Sequence, residues 1–193
     1  MRLLRRTLSE CPVSVWAGGT TAELLLWPPE GSYAARDFLF RLSSARVELE
    51  ESVFTSLPGV TRFITPLAGG FSLEHNGGKA IELAPYEIDA FSGADRTVCR
   101  GRATDFNLML KNCRGALHTL RGGGTLALAG PAADCLFFPA GGTLRLGGAA
   151  ERAERDTLLA VLTEAGETAA AAWAAPVALY AHISLISTEN KQN

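Results

Sequence analysis

Apolar and polar residues alternate with a period of two through much of this chain, the pattern of strands that turn one face to a core. Between Phe38 and Val47, Phe38, Phe40 and Leu42 point one way, while Asp37, Leu39, Arg41 and Ser43 point the other. Asp105, Asn107 and Met109 oppose Phe106, Leu108 and Leu110 in the same manner, and Tyr180, His182 and Ser184 oppose Leu179, Ala181, Ile183 and Leu185. Such strands carry one greasy face and one partly charged face, and polar groups facing the same way on several strands can meet inside a barrel.

Turn residues separate these runs: Pro28-Pro29-Glu30-Gly31, Pro58-Gly59, Gly69-Gly70, Asn76-Gly77-Gly78, Ser92-Gly93 and Gly130-Pro131. Asn76-Gly77, between Phe71-Ser-Leu-Glu and Ala80-Ile-Glu-Leu, is the clearest hairpin signal. A turn-plus-strand unit occurs twice, as Gly123-Gly-Thr-Leu-Ala-Leu-Ala-Gly130 and Gly141-Gly-Thr-Leu-Arg-Leu-Gly-Gly148, and predicts a β-meander rather than a solenoid. One stretch departs from the pattern: Glu151 to Ala165 and Ala169 to Ala172 are rich in helix formers, and propensity alone predicts helix there.

A chain of 193 residues with 47% hydrophobic and 20% charged residues can bury a sizeable core. Its 20 Gly and 9 Pro are scattered, as many short elements joined by turns require. Net charge is −2, and the one dense basic cluster, Arg2, Arg5 and Arg6, forms no stripe that would release counterions from a phosphate backbone, so no nucleic-acid partner is expected. Thr-Leu-Ser-Glu-Cys-Pro follows those arginines in place of an apolar signal segment, and Met1 to Leu8 reads as the start of the mature protein. No apolar run approaches the roughly 18 residues that span a membrane, so a soluble chain without a membrane partner is expected. Cys11, Cys99, Cys113 and Cys135 lack C-x-x-C or zinc-type spacing and read as reduced, buried thiols of a cytosolic protein.

Four fragments are more specific: Trp16-Ala-Gly-Gly-Thr-Thr-Ala-Glu23, Arg36-Asp-Phe-Leu-Phe-Arg-Leu-Ser43, Phe54-Thr-Ser-Leu-Pro-Gly-Val-Thr-Arg62 and Asp105-Phe-Asn-Leu-Met109. Together they resemble the HutD/Ves family, with motif likeness over roughly residues 14 to 112. The resemblance implies an all-β, two-lobed cupin barrel (an RmlC-like jelly roll) and a cytoplasmic protein associated with histidine utilisation or stress, with no established catalytic assignment. The expected organisation is one globule over 1–193, with a first cupin lobe at 12–112 and a second at 113–193. It also decides the ambiguous stretch: Thr157 to Thr163 and Thr168 to Trp173 read as two strands joined by Glu-Ala-Gly-Glu, where the family has barrel strands.

Cupins that bind metals gather two or three His with Glu or Gln, using His-x-His on one strand. His75, His118 and His182 form no such pair, so no metal and no cofactor are expected. His75, beside a hairpin turn, is expected to be exposed, and His118 and His182 to be structural, hydrogen-bonded residues. Gly70-Phe-Ser-Leu-Glu74 lacks the second glycine of a nucleophile elbow. Gly122-Gly-Gly124-Thr-Leu-Ala127 matches a dinucleotide fingerprint only formally, because Gly130-Pro131 would stop its helix.

The strongest constellation is polar: Trp16, Thr20, Thr21, Glu23, Arg41, Ser43, Asp105 and Asn107 are the candidate ligand-binding residues. An inward Arg41 needs a carboxylate partner, which Asp105 or Glu23 can supply from within, or a bound anion can supply from outside. Trp16 reads either as a stacking wall for a planar ligand or as a core plug at the barrel mouth. Gly18 and Gly19 are expected at a backbone bend, and Arg36 and Arg62 in surface or rim ion pairs. The expected function is a non-catalytic, regulatory or accessory binder of a small carboxylate such as urocanate or a formylated or formiminated glutamate. Two alternatives stand beside it: a metal-independent enzyme using Asp105 or Glu23 as general base, and a scaffold whose barrel serves a homodimer interface.

Overall fold

The computed structural model describes residues 1–185, and its regular structure is β-strand apart from one 3-10 turn at Leu8–Glu10. Among the described residues no helix is long and apolar enough to cross a membrane. Numbered along the chain, the strands are β1 (Arg2–Thr7), β2 (Val13–Trp16), β3 (Gly19–Trp27), β4 (Phe40–Val47), β5 (Glu51–Val53), β6 (Val60–Gly69), β7 (Phe71–His75), β8 (Ile81–Leu83), β9 (Asp89–Ser92), β10 (Thr97–Arg100) and β11 (Ala103–Lys111). They continue as β12 (Arg114–Ala129), β13 (Ala132–Phe138), β14 (Gly142–Leu146), β15 (Ala149–Ala153), β16 (Thr157–Thr163) and β17 (Thr168–Ser184). The chain divides into two compact units, one formed by Glu10–Asn112 and the other by Met1–Ser9 with the residues from Cys113 onward.

In the Glu10–Asn112 unit, a six-stranded sheet (β2-β3-β4-β11-β6-β9) and a four-stranded sheet (β5-β10-β7-β8) share one apolar core. Val47 and Ile64 of the larger sheet meet Phe71, Leu73, Leu83 and Cys99 of the smaller one, as in a jelly roll. The Asn76-Gly77 signal marks a real hairpin: β7 pairs antiparallel with β8, and both turn residues have positive φ, 55° and 72°. At Gly19 φ is 154°, and a Cβ there would lie 1.9 Å from the Arg46 carbonyl oxygen. Only glycine allows β3 to start that close to the end of β4.

The expected parity holds within β4 and breaks before it. A bend at Leu39, whose N–H donates to Trp27 O, ends the alternation, so Phe38 does not share the face of Phe40. It packs instead with Leu57, Val60 and Met109. In β11 residues of both faces are buried.

In the other unit a seven-stranded sheet runs β1-β16-β13-β17-β14-β15, with β12 also paired to β17. The helix-prone stretch is strand: all of β16 is buried between β1 and β13, and burying Leu158 to Leu162 on both faces outweighs intrinsic propensity. The Glu164–Glu167 turn closes through Glu167 N–H to Glu164 O and Glu164 N–H to the Glu167 carboxylate. The repeated Gly-Gly-Thr-Leu units do not form a meander. They flank one strand, with Leu126 and Leu146 both registered on Ala171 of β17. No disulfide joins the four cysteines; Cys11, Cys99 and Cys135 are buried and Cys113 is half-buried.

Replacing Gly19 with Ala drives a methyl into a backbone oxygen that cannot swing aside. The variant is expected to lose about 2 kcal/mol or more of stability. Urea denaturation measures it, and an unchanged midpoint would contradict the close approach.

Candidate functional site

Three adjacent strands set the site. In the ladder β4-β11-β6, Arg41 faces Met109, which faces Arg62; Ser43 faces Asn107, and Ala45 faces Asp105. Residues two apart on a strand share a face, so this register puts two guanidiniums, an amide and a carboxyl on one surface of the sheet. They line a cavity of about 250 Å³, together with Thr21 of β3, Ser14, Val15 and Trp16 of β2, Tyr33 from the β3–β4 connection, and Phe54 and Thr55 after β5. Trp16 and Phe54 also pack on the apolar core, so they separate core from cavity.

Of the eight residues singled out from the sequence, Trp16, Thr21, Arg41, Ser43, Asp105 and Asn107 line this cavity. Thr20, next to Thr21 on the strand, points to the opposite face. Glu23 lies outside the lining and registers with Ser43. Its carboxylate accepts a hydrogen bond from Arg41 Nε at 2.7 Å, so the internal partner of Arg41 is Glu23. Arg41 Nη1 donates to Ser43 Oγ at 3.2 Å, and its guanidinium lies 4.2 Å from the Tyr33 ring centre.

Arg62 was not anticipated. Expected in a rim ion pair, it is 6% exposed, lines the cavity and, among the described residues, has no carboxylate within ion-pair distance. Its charge rests over the rings of Phe54 and Phe91, at 4.8 and 5.1 Å. Burial lowers its pKa to about 10, which leaves it charged at neutral pH. A sequence signal existed, since Arg62 closes the Phe54–Arg62 fragment, but only the β6–β11 register brings it beside Met109. Arg36 likewise has no ion pair; it lies over Tyr33 and donates to Tyr33 O.

Asp105 is buried, and its Oδ1 accepts one bond, from the Ala45 N–H at 3.2 Å. Burial pushes its pKa up to about 7, against the opposing pulls of the Ala45 N–H and the Arg62 charge. Three buried polar atoms in this cavity have no hydrogen-bond partner among the described residues: Trp16 Nε1, Arg62 Nε and Asn107 Oδ1. Two are donors and one is an acceptor. Buried polar groups are nearly always satisfied, and these three give the cavity wall both hydrogen-bond senses.

The histidines are placed differently from one another. His75 is half-buried, not exposed: it bonds Thr97 Oγ1 and Asp89 Oδ2 at 2.9 and 2.8 Å and packs on Phe91, which closes the β7 end of the core. His182 is held at 2.7 Å by the buried Asp134, which also accepts from Tyr180. His118 is exposed beside the Tyr180 ring. Among the described residues no group of three or more His, Cys, Asp or Glu is placed to hold a metal ion.

The sequence matches the HutD family over residues 8–179. No curated protein matches it. Among solved structures, it is similar to a conserved protein of unknown function from Pseudomonas aeruginosa PAO1, at 24% identity and TM-score 0.82, with 97% of this chain and 100% of that one covered. HutD from Pseudomonas fluorescens SBW25, described as a formate condition, is 22% identical with TM-score 0.81, covering 96% and 100%. A cupin 2 conserved barrel domain protein from Leptotrichia buccalis is 9% identical with TM-score 0.59, covering 95% and 96%. At these identities the likeness is one of fold, and the fold is all-β and cupin-like.

Asp105 makes a pH-dependent contribution whose sign follows from its raised pKa. Between about pH 4 and pH 7 the folded state holds a proton that the unfolded state lacks, so stability falls as pH rises through that window and then levels. Asp105→Asn removes this cost. Its stability advantage over wild type is expected to be larger at pH 8 than at pH 4.5, by up to about 3 kcal/mol. Parallel urea titrations at the two pH values check it; equal advantages would mean that the carboxyl is ionised throughout.

Proposed function

The chain belongs to the HutD family, and from that premise we propose that its Glu10–Asn112 unit binds a small carboxylate, in a regulatory or accessory role linked to histidine utilisation. The observation that carries this reading is the orphan set. Trp16 Nε1–H and Arg62 Nε–H are donors suited to the two oxygens of a carboxylate, and Asn107 Oδ1 is an acceptor suited to an N–H or O–H of the same molecule. Arg41, with Nε and Nη1 committed to Glu23 and Ser43, keeps Nη2 for the ligand. A cavity of about 250 Å³ suits a molecule of a few to a dozen heavy atoms. Urocanate fits that size and carries an imidazole N–H; N-formylglutamate carries an amide N–H.

A second reading, turnover of the bound acid, is favoured by one feature: Asp105 has a pKa of about 7, where a general acid or base works best. In that reading Asp105 moves the proton, and Arg41 and Arg62 hold the charge. Glu23, already bonded to Arg41, is the poorer base.

Calorimetric titration of urocanate, formate and N-formylglutamate separates these readings. Wild type is expected to bind at least one of them. Arg62→Met keeps most of the volume and removes the fork, and is expected to weaken binding by about 2 to 4 kcal/mol, roughly 30-fold to 1000-fold. Arg41→Met is expected to have a smaller effect, because part of that guanidinium already serves Glu23. Silence with all three ligands in wild type, or equal affinity in Arg62→Met, would remove the proposal. Chemical change of the ligand during incubation would favour the enzyme.

A further inference from the structure

Resting on the reading of this cavity as an anion site, we propose that Asp105 is itself a ligand contact that carries a proton, so that the cavity takes up one carboxylate together with one proton. In the complex Asp105 is a neutral acid whose O–H donates to the bound anion. The proton comes from the buffer when the free protein holds Asp105 ionised, and the one covalent bond formed is O–H at the Asp105 carboxyl.

Geometry leads to this before titration does. Asp105 shares the cavity wall with Arg62, yet neither closes an ion pair on the other. Arg41, the second cation, is already matched by Glu23 from β3. A carboxylate entering beside Asp105 therefore finds one uncompensated positive charge, that of Arg62, for two carboxyl groups. Two carboxyls sharing a buried site cannot both ionise easily, and the usual outcome is that they share a proton. Asp105 is the better holder, because it is buried and has a single backbone N–H to stabilise its anion.

Asp105 feels the charge of Arg62 from β6 and acts on Cys99 from β10, and it shares the cavity wall with Arg41 from β4 and Tyr33 from the β3–β4 connection, while Glu23 from β3 lies behind Arg41, bonded to its Nε. Arg62 stays charged up to about pH 10, and burial pushes the Cys99 thiol up to about 12, so neither changes state between pH 6 and pH 9. Asp105, with its carboxyl raised to about 7, changes state in the middle of that range. Affinity is therefore expected to be flat below about pH 7 and to fall roughly tenfold per pH unit above it.

Formate and N-formylglutamate test this directly, since neither titrates between pH 6 and pH 9. Calorimetry at pH 8 in phosphate and in Tris, whose ionisation enthalpies differ widely, is expected to give apparent heats that differ by the buffer enthalpy of about one proton per anion bound. In Asp105→Asn the two buffers should agree and the pH dependence should disappear. Binding with equal heats in both buffers and flat affinity from pH 6 to 9 in wild type would overturn the inference and leave the anion site standing. Proton uptake that survives in Asp105→Asn would overturn it too, by moving the proton elsewhere. No binding of either anion at pH 6 would remove the anion site and this inference with it. If the variant does not fold, the wild-type affinity profile takes its place: an inflection near pH 7 supports Asp105 as the proton's holder, and uptake without that inflection overturns the inference.

Discussion

Two guanidiniums and a carboxyl on the inner face of three hydrogen-bonded strands must each be compensated, and the Glu10–Asn112 unit does so in three different ways. Arg41 takes a carboxylate from the neighbouring strand, Arg62 takes the faces of two aromatic rings, and Asp105 gives up its charge near neutrality. A buried charge without such compensation costs several kcal/mol. The register of β4, β11 and β6 creates the problem, and the local features around the cavity answer it. A shift in register between Glu23 and Leu25 keeps Leu24 and Leu25 buried while Glu23 still reaches Arg41. Tyr33 is placed so that two guanidiniums, of Arg36 and Arg41, lie over its ring.

The compensation is uneven, and that unevenness gives the cavity its chemistry. Arg41 is partly closed, with Nε bonded to Glu23 and Nη1 to Ser43. Arg62 is not, because aromatic faces offset charge without occupying N–H groups. A donor that is desolvated, charged and still unbonded is poor design for stability alone. Asn107 and Trp16, each with an unpartnered buried atom, extend the same surface in both hydrogen-bond senses.

The other unit solves a simpler problem. Its interior is built from Leu136, Phe138, Leu144, Leu159, Val161 and Trp173, with the small Ala171 and Ala178 of β17 packed among them. Its fully buried carboxylate, Asp134, is bonded through one oxygen to both Tyr180 and His182. That oxygen holds His182, read from the sequence as a structural histidine, in a hydrogen bond.

Period-two alternation and turn residues are local properties, and what depends on them was legible in the chain itself: strands throughout, the Asn76-Gly77 hairpin, and the shared face of Arg41 with Ser43 on one strand and of Asp105 with Asn107 on another. What depends on which strand pairs with which, and in what register, was not. Arg62 joined the site only because β6 lies beside β11, Thr20 left it because parity selects Thr21, and Glu23 rather than Asp105 became the partner of Arg41 through the β3–β4 ladder. Phe38 escaped its parity through a bend at Leu39, His75 was covered by β9 and β10, and the helix-prone Glu151–Ala165 stretch became strand under burial from both sides. Alternation fixes which side of a strand a residue faces. Only non-local pairing and desolvation decide what it meets there and whether it keeps its charge.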